Sequence, residues 1–187
     1  MEDSIPLPID TIPTPNPDAL MFKLTEPLVD RGSFEFTRAQ SDVPPLPGRL
    51  FTLDGVNQVL VTSRFVTVTK KAEYGWADLV PSLKGLIREH VASGDLAVGE
   101  TQAVTNTATE SELGQRIAQL IEDQVRPAVA MDGGDVQFVG LTDEMIVQLR
   151  LIGSCSSCPS ALTTLHMGIE TMLVEEFPEV QGVEQVG

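Results

Sequence analysis

Between Gly94 and Thr109 the chain loses every regular hydrophobic pattern, and this interruption limits what the rest can become. Residues 95–109 are mostly small and polar, with Gly99, Thr101, Thr105, Asn106 and Thr107 among them. Such a stretch reads as a flexible linker. The 187 residues are thereby divided into two pieces, each of which must close its own core. An apolar content of 42% is adequate for two small cores. No apolar run approaches the roughly 20 residues of a membrane span, so no membrane association is expected.

In the first piece, residues 1–13 contain Pro6, Pro8 and Pro13 and read as an extended proline-rich arm, unordered as far as about Thr11. From Thr14 onward the pattern is regular. Thr14-Pro15-Asn16-Pro17 runs into a strand-like segment ending at Leu24, and Phe34-Glu35-Phe36 reads as a second strand. Residues 42–47 read as a proline-rich loop, and 49–53 as a short helix broken by Gly55. Two β-branched runs, 59–61 and 65–69, flank Thr62-Ser63-Arg64 as in a hairpin. Trp76, Leu79, Leu83, Leu86 and Ile87 then predict a helix over Trp76–Ser93. Pro81 moves its expected start towards Leu79, and Gly94 is its expected cap. Residues 14–94 are therefore expected to form a small α/β domain, with Trp76 in its core.

The second piece, residues 110–187, opens with Thr109-x-x-Glu112, the pattern of a capping box. Leu113, Ile117, Leu120, Ile121 and Val125 follow at helical spacing until Pro127 disturbs it. Met131-Asp132-Gly133-Gly134-Asp135 reads as a tight turn whose glycines permit positive φ. The alternative for these residues is a supporting role around a nearby metal site. Residues 136–141 and 145–152 alternate as two strands. Leu162, Leu165, Ile169, Met172, Leu173 and Phe177 mark an amphipathic helix that Pro178 ends, and 183–186 reads as an edge strand. The expected class is α+β: two small α/β domains joined by a flexible linker, the second built as helix, hairpin, helix and edge strand.

Chemistry concentrates in Gly153-Ser154-Cys155-Ser156-Ser157-Cys158-Pro159, which holds both cysteines of the chain. A Cys-x-x-Cys pair serves as a redox dithiol, as half of a zinc site or as half of an iron–sulfur site. Pro159 suits the first position of a helix, where its missing N–H costs nothing. A helix N-terminus favours thiolate, the form that binds metal. A closed site of four thiolates then needs a second copy of this chain, or thiols from a partner or small molecule. The simplest solution is a twofold homodimer with one centre on its axis, Cys155 and Cys158 coming from each subunit. Such a centre is exposed and labile, which suits a carrier. His166, on the following helix, reads as a surface or partly packed side chain, and His90 as a cationic partner of a helix C-terminus.

The net charge of −15 is uneven. Residues 1–94 carry 12 acidic and 9 basic side chains, whereas residues 95–187 carry 15 acidic and 3 basic. There is no basic stripe, so nucleic acid is not an expected partner. Two closely spaced cysteines do not make a secreted disulfide framework, and the first residues, Met1-Glu2-Asp3-Ser4, lack the pattern of a targeting peptide. A cytoplasmic location is the expectation.

Residues 131–186 carry Met-Asp-Gly-Gly-Asp, a hairpin, Gly-Ser-Cys-x-Ser-Cys-Pro-Ser and Pro-Glu-Val-x-Gly-Val-Glu-Gln-Val. This arrangement resembles the C-terminal Cys-x-x-Cys domain of NifU-like (Nfu-type) proteins. Residues 14–94 resemble the Nfu N-terminal domain through Thr14-Pro15-Asn16-Pro17, Leu20, the Gly55-Val56 step, Phe65 to Lys70 and the Trp76 helix. The resemblance implies a non-enzymatic role in iron–sulfur cluster assembly. A [4Fe-4S] cluster would be bound between two subunits through Cys155 and Cys158 and passed to apo-proteins, after receipt from an upstream assembly scaffold. It further implies that the N-terminal domain serves support and client recognition. On the residues alone, a thiol–disulfide redox protein and a dimeric zinc-binding adaptor remain alternatives. The redox reading is weakened by the expected lack of a βαβ setting.

Overall fold

The computed structural model describes residues 8–30, 32–95, 97–98, 111–154 and 159–186, with the backbone only for 159–166. The chain divides into two compact units, Met1–Thr101 and Gln102–Gly187. Helices and strands are mixed in both, so the α+β class expected from the patterning is the one observed.

The first unit is a five-stranded antiparallel sheet in the order β1-β2-β5-β4-β3. Its strands are β1 (Ile9–Pro13), β2 (Ala19–Leu24), β3 (Phe34–Thr37), β4 (Val56–Val61) and β5 (Phe65–Lys70). The expected arm is thus ordered from Ile9 onward as an edge strand, with Ile9 opposite Leu24 and Pro13 opposite Leu20. Pro13 is tolerated there because an edge strand leaves one side of its backbone unpaired. The turn into β2 is closed by local side chains: Thr14 Oγ1 donates to the carbonyls of Asn16 and Ala19, and Asn16 Oδ1 accepts from the Asp18 N–H.

Strand alternation sends Leu20, Phe22, Leu24, Val59, Val61, Val66 and Val68 into one core. That core is shared with α1 (Pro45–Leu50) and α2 (Trp76–Ser93). Helix α1 starts inside the stretch expected to be a proline loop and ends before most of the expected 49–53 helix. Its prolines fall in the first turn, where N–H groups have no intrahelical partner, and Leu46 and Leu50 are both fully buried one turn apart. The Arg38 guanidinium then accepts the duty of a cap, donating to the carbonyls of Phe51 at 2.7 Å and Leu53 at 2.6 Å. Helix α2 begins at Trp76 despite Pro81 and ends at Gly94, whose φ of 69° is left-handed. Ala97 and Val98, placed in the expected linker, are buried in this same core. The rest of the linker, residue 96 and residues 99–109, lies outside the described residues.

His90 differs from its expected role. It is 1% exposed, and neither ring nitrogen has a hydrogen-bond partner among the described residues. Burial holds the imidazole below its ordinary 6.5, the Arg49 guanidinium adds to this, and Asp95 opposes it. A neutral, enclosed ring packs the core and does not complement the helix dipole as a cation. Below pH 6.5 the unfolded chain takes up a proton that the folded chain resists, so stability falls as pH falls through that region. One such proton contributes at most about 1.4 kcal/mol per pH unit. Denaturant titrations of His90→Met between pH 7.5 and about pH 5 are expected to show a shallower acid-side loss for the first unit than the parent chain.

The second unit opens with α3 (Glu112–Leu120), a π turn (Ile121–Val125) and α4 (Arg126–Met131) in one continuous run. Its N-cap is Ser111, whose Oγ accepts from the Gly114 N–H at 3.0 Å; Thr109 of the expected capping box lies outside the described residues. The buried residues Ile117, Ile121, Val125 and Val129 recur every four positions. On a regular helix at about 100° per residue this spacing drifts by roughly 120° over three steps. The wider π turn takes up part of that drift and keeps the stripe on the core. It also opens the hydrogen-bond ladder just before Pro127, whose ring would otherwise meet the carbonyl four residues back.

After the turn come β6 (Gly134–Leu141) and β7 (Ile146–Gly153), an antiparallel pair, then α5 (Pro159–Glu176) and β8 (Gly182–Gln185). Strand β8 lies parallel to β7, with Val147 opposite Val183. The segment β7–α5–β8 is therefore a βαβ crossover, which corrects the expectation that no βαβ setting surrounds the cysteines. Leu149, Leu151, Ile169, Leu173, Phe177 and Val183 close the core over Ile117 and Val129.

Candidate metal centre

Cys155 and Cys158 lie outside the described residues, but both of their flanks are placed. Strand β7 ends at Gly153 and α5 begins at Pro159, so the two thiols belong to the link between a strand and the N-terminus of an 18-residue helix. The unpaired N–H groups and dipole of such a helix end favour thiolate. Gly153 has a φ of 80°, a conformation that suits glycine and redirects the chain as it leaves the sheet.

The entry to the link is fixed by the turn expected at Met131–Asp135. Gly133 takes the left-handed φ of 75°, whereas Gly134 is already the first residue of β6. Gly134 stands opposite Gly153, and Asp135 opposite Ile152. Ser154, 2% exposed, donates its N–H to the Gly133 carbonyl at 3.4 Å and its hydroxyl to the Asp132 carbonyl. The residue immediately before Cys155 is thus clasped to the turn by both its backbone and its side chain.

Behind the turn, Asp135 is a buried carboxylate gripped by a fork. Arg126 Nε reaches Asp135 Oδ1 and Nη2 reaches Oδ2, each at 2.8 Å, and the Val136 N–H donates to Oδ1 at 2.8 Å. Arg126 Nη1 donates to both carboxylate oxygens of Glu122, at 2.7 and 2.5 Å. These carboxylates hold the Arg126 guanidinium well above its ordinary range, the Asp135 hydrogen bonds contributing most and burial opposing them. Asp135 is therefore committed to Arg126. Among the described residues no group of three or more His, Cys, Asp or Glu side chains converges as metal ligands do. Ser154 and Arg126 were not singled out from sequence. The available signal was that Arg126 is one of three basic residues in 95–187 and directly precedes a proline.

The remaining expected residues fall away from this arrangement or cannot be placed in it. The His166 side chain lies outside the described residues. Trp76 packs only partly buried against the first core; its Nε1 donates to the Pro17 carbonyl at 3.0 Å, and Lys70 Nζ lies 5.8 Å from its ring centre. It ties α2 to the β1–β2 turn and does not lie wholly inside the core.

Residues 117–184 match the family model of the NifU-like domain, and residues 9–94 that of the scaffold protein Nfu/NifU N terminal. The chain belongs to the NifU-like scaffold family. It is 40% identical to NifU-like protein 5, mitochondrial, of Arabidopsis thaliana, over 95% of this chain and 67% of that protein. Identity is also 40% to the Arabidopsis NifU-like protein 4, mitochondrial, of which the chain covers 65%. To the human NFU1 iron-sulfur cluster scaffold homolog, mitochondrial, it is 41% over 95% of this chain and 71% of that protein. The chain thus spans about two thirds of these relatives' length. Their names correct one expectation: the cytoplasmic location drawn from the first residues is overturned, because these NifU-like relatives are mitochondrial proteins. No described helix is long and apolar enough to cross a membrane.

Proposed function

We propose that this NifU-like chain is a scaffold and carrier that holds a [4Fe-4S] cluster between two copies, through Cys155 and Cys158 of each, and delivers it to apo-proteins. The observation that carries this reading is the position of the only two cysteines at the N-terminus of α5, behind the clasped residue Ser154. Two thiolates per chain leave a four-thiolate shell half complete, so a second copy supplies the rest. The chain's part is ligand exchange without catalytic turnover. Each client thiol that binds releases one thiolate of this chain, which takes up the proton the client thiol gave off. Residues 14–94 would serve client recognition, 95–109 would link the units, and 110–187 would carry the cluster from an upstream scaffold.

Anaerobic reconstitution with iron and sulfide, followed by Mössbauer spectroscopy and native mass measurement, tests this. The expected species is two chains with one four-iron centre. A loaded species with the mass of one chain, its donors all from that chain, would overturn it.

The βαβ crossover gives a second reading specific support, since a Cys-x-x-Cys between strand and helix of such a unit also suits thiol–disulfide exchange. That reading requires a reversible Cys155–Cys158 disulfide and dithiol-dependent disulfide reduction by the metal-free protein.

A further inference from the structure

A buried ion pair is weak support for stability: replacing such a pair by apolar residues is often neutral or better, and only breaking it is costly. The second unit nevertheless keeps a carboxylate with 3% side-chain exposure at the start of β6, and places a forked guanidinium against it. The π turn ends at Val125, and the next residue is Arg126; one extra residue in a helix rotates everything after it by about 100°. Both oxygens of Asp135 are occupied, and one of them also fixes the Val136 N–H, so the carboxylate locks the backbone where β6 begins. One residue upstream Gly134 faces Gly153, and the two residues before it present their carbonyls to Ser154. A continuous path of short contacts therefore runs from Arg126 through Asp135 and the 132–134 backbone to Ser154, and Cys155 is the next residue in the chain.

We propose that Arg126 and Asp135 are positioning residues for the strand end that leads into Cys155: they hold the 132–134 turn in the geometry that clasps Ser154. The inference rests on Cys155 and Cys158 being the cluster ligands, and it is testable without any cluster. The bidentate fork matters as much as the charge, because lysine presents a point charge on a flexible stem and cannot grip both oxygens.

Amide hydrogen exchange on the metal-free full-length chain reads the clasp directly. Asp135→Asn and Arg126→Lys are expected to speed exchange at the Ser154 N–H by at least about tenfold, the scale of a lost charge-assisted hydrogen bond. Exchange across α5 from Ile169 to Phe177 should stay as in the parent. Ser154→Ala, which leaves the ion pair intact, should loosen the same link without changing protection at the Val136 N–H. Loaded protein of each variant should lose its cluster to a chelator about 10- to 100-fold faster, as is typical when a supporting partner of a metal site is removed. Unchanged Ser154 exchange in folded Asp135→Asn overturns the proposal, and so does a loss of protection spread evenly over the second unit, which would mark the pair as purely structural. A parent chain that takes up no cluster would defeat the function proposed above, while the exchange result would still decide the role of Arg126 and Asp135.

Discussion

Cys155→Ser, reconstituted anaerobically beside the parent chain, is expected to bind its cluster more than about 100-fold more weakly, and Cys158→Ser likewise. The scale follows from comparison: removing a residue that merely supports a ligand costs about 10- to 100-fold, and on the proposed assignment the ligand itself would be lost. Serine is close in size to cysteine, but its hydroxyl does not ionise near neutral pH, whereas a thiol of ordinary pKa about 8.5 is lowered further at a helix N-terminus. In the proposed two-chain centre, one substitution per chain would remove two of four donors, so even a dimer that still formed could not close its coordination shell. Absorbance of the reconstituted protein, with iron and sulfide counted per chain, measures the loss. Equal loading of Cys155→Ser and parent would show that the cluster is held by other groups. Mixing tagged parent with untagged variant adds a finer check, because heterodimers with three thiolates should hold cluster at an intermediate level.

Much of the scaffold could be read before any coordinates, for physical reasons that differ by element. Helix α2 was legible because Leu79, Leu83 and Ile87 recur at helical spacing and Gly94 supplies a left-handed stop. The extent of α5 was legible because Pro159 and Pro178 bracket it. Strand β1 and helix α1 were missed for one shared reason. Proline was read as a breaker in both, while its actual cost depends on whether the lost N–H had a partner, and at an edge strand or a first helical turn it has none. The π turn left a trace that was not used: four buried residues spaced by four, a period wider than an α-helix keeps on one face. The parallel sense of β8 was not legible, since a strand of four residues carries no direction in its pattern. His90 was misjudged because position along a helix says nothing about which face meets a core. At the candidate site, Cys155 and Cys158 are named by sequence as candidate ligands and lie outside the described residues, whereas the contacts of Ser154 with the 132–133 backbone depend on the register of β6 against β7, and register is a property of the folded sheet.

The second core is closed by α5, and Leu173→Ala is expected to undo that docking. Leu173 is fully buried in the second core, flanked one turn either side by Ile169 and Phe177, each 3% exposed. Truncating a fully buried leucine typically costs about 2–5 kcal/mol, the lost transfer energy plus the cavity left behind. Set against the roughly 5–15 kcal/mol that holds a domain together, this is a large share for a unit as small as this one. The Arg116 guanidinium, 5.2 Å from the Phe177 ring centre, adds a contact that would loosen with the helix. Val174 provides the control, being the next residue on the same helix but 39% exposed. Val174→Ala is expected to stay within about 0.5 kcal/mol of the parent. Denaturant unfolding followed by amide exchange in each unit separates the two variants: Leu173→Ala should lower the midpoint of the second unit and leave protection in α2 of the first unchanged. On the proposed placement of the thiols just before α5, loss of the helix would remove an N-terminus that favours thiolate, so the alkylation rate of the cysteines at neutral pH should fall towards that of an unstructured peptide thiol in the same variant. Equal stability of Leu173→Ala and Val174→Ala would mean that α5 is not held by this core.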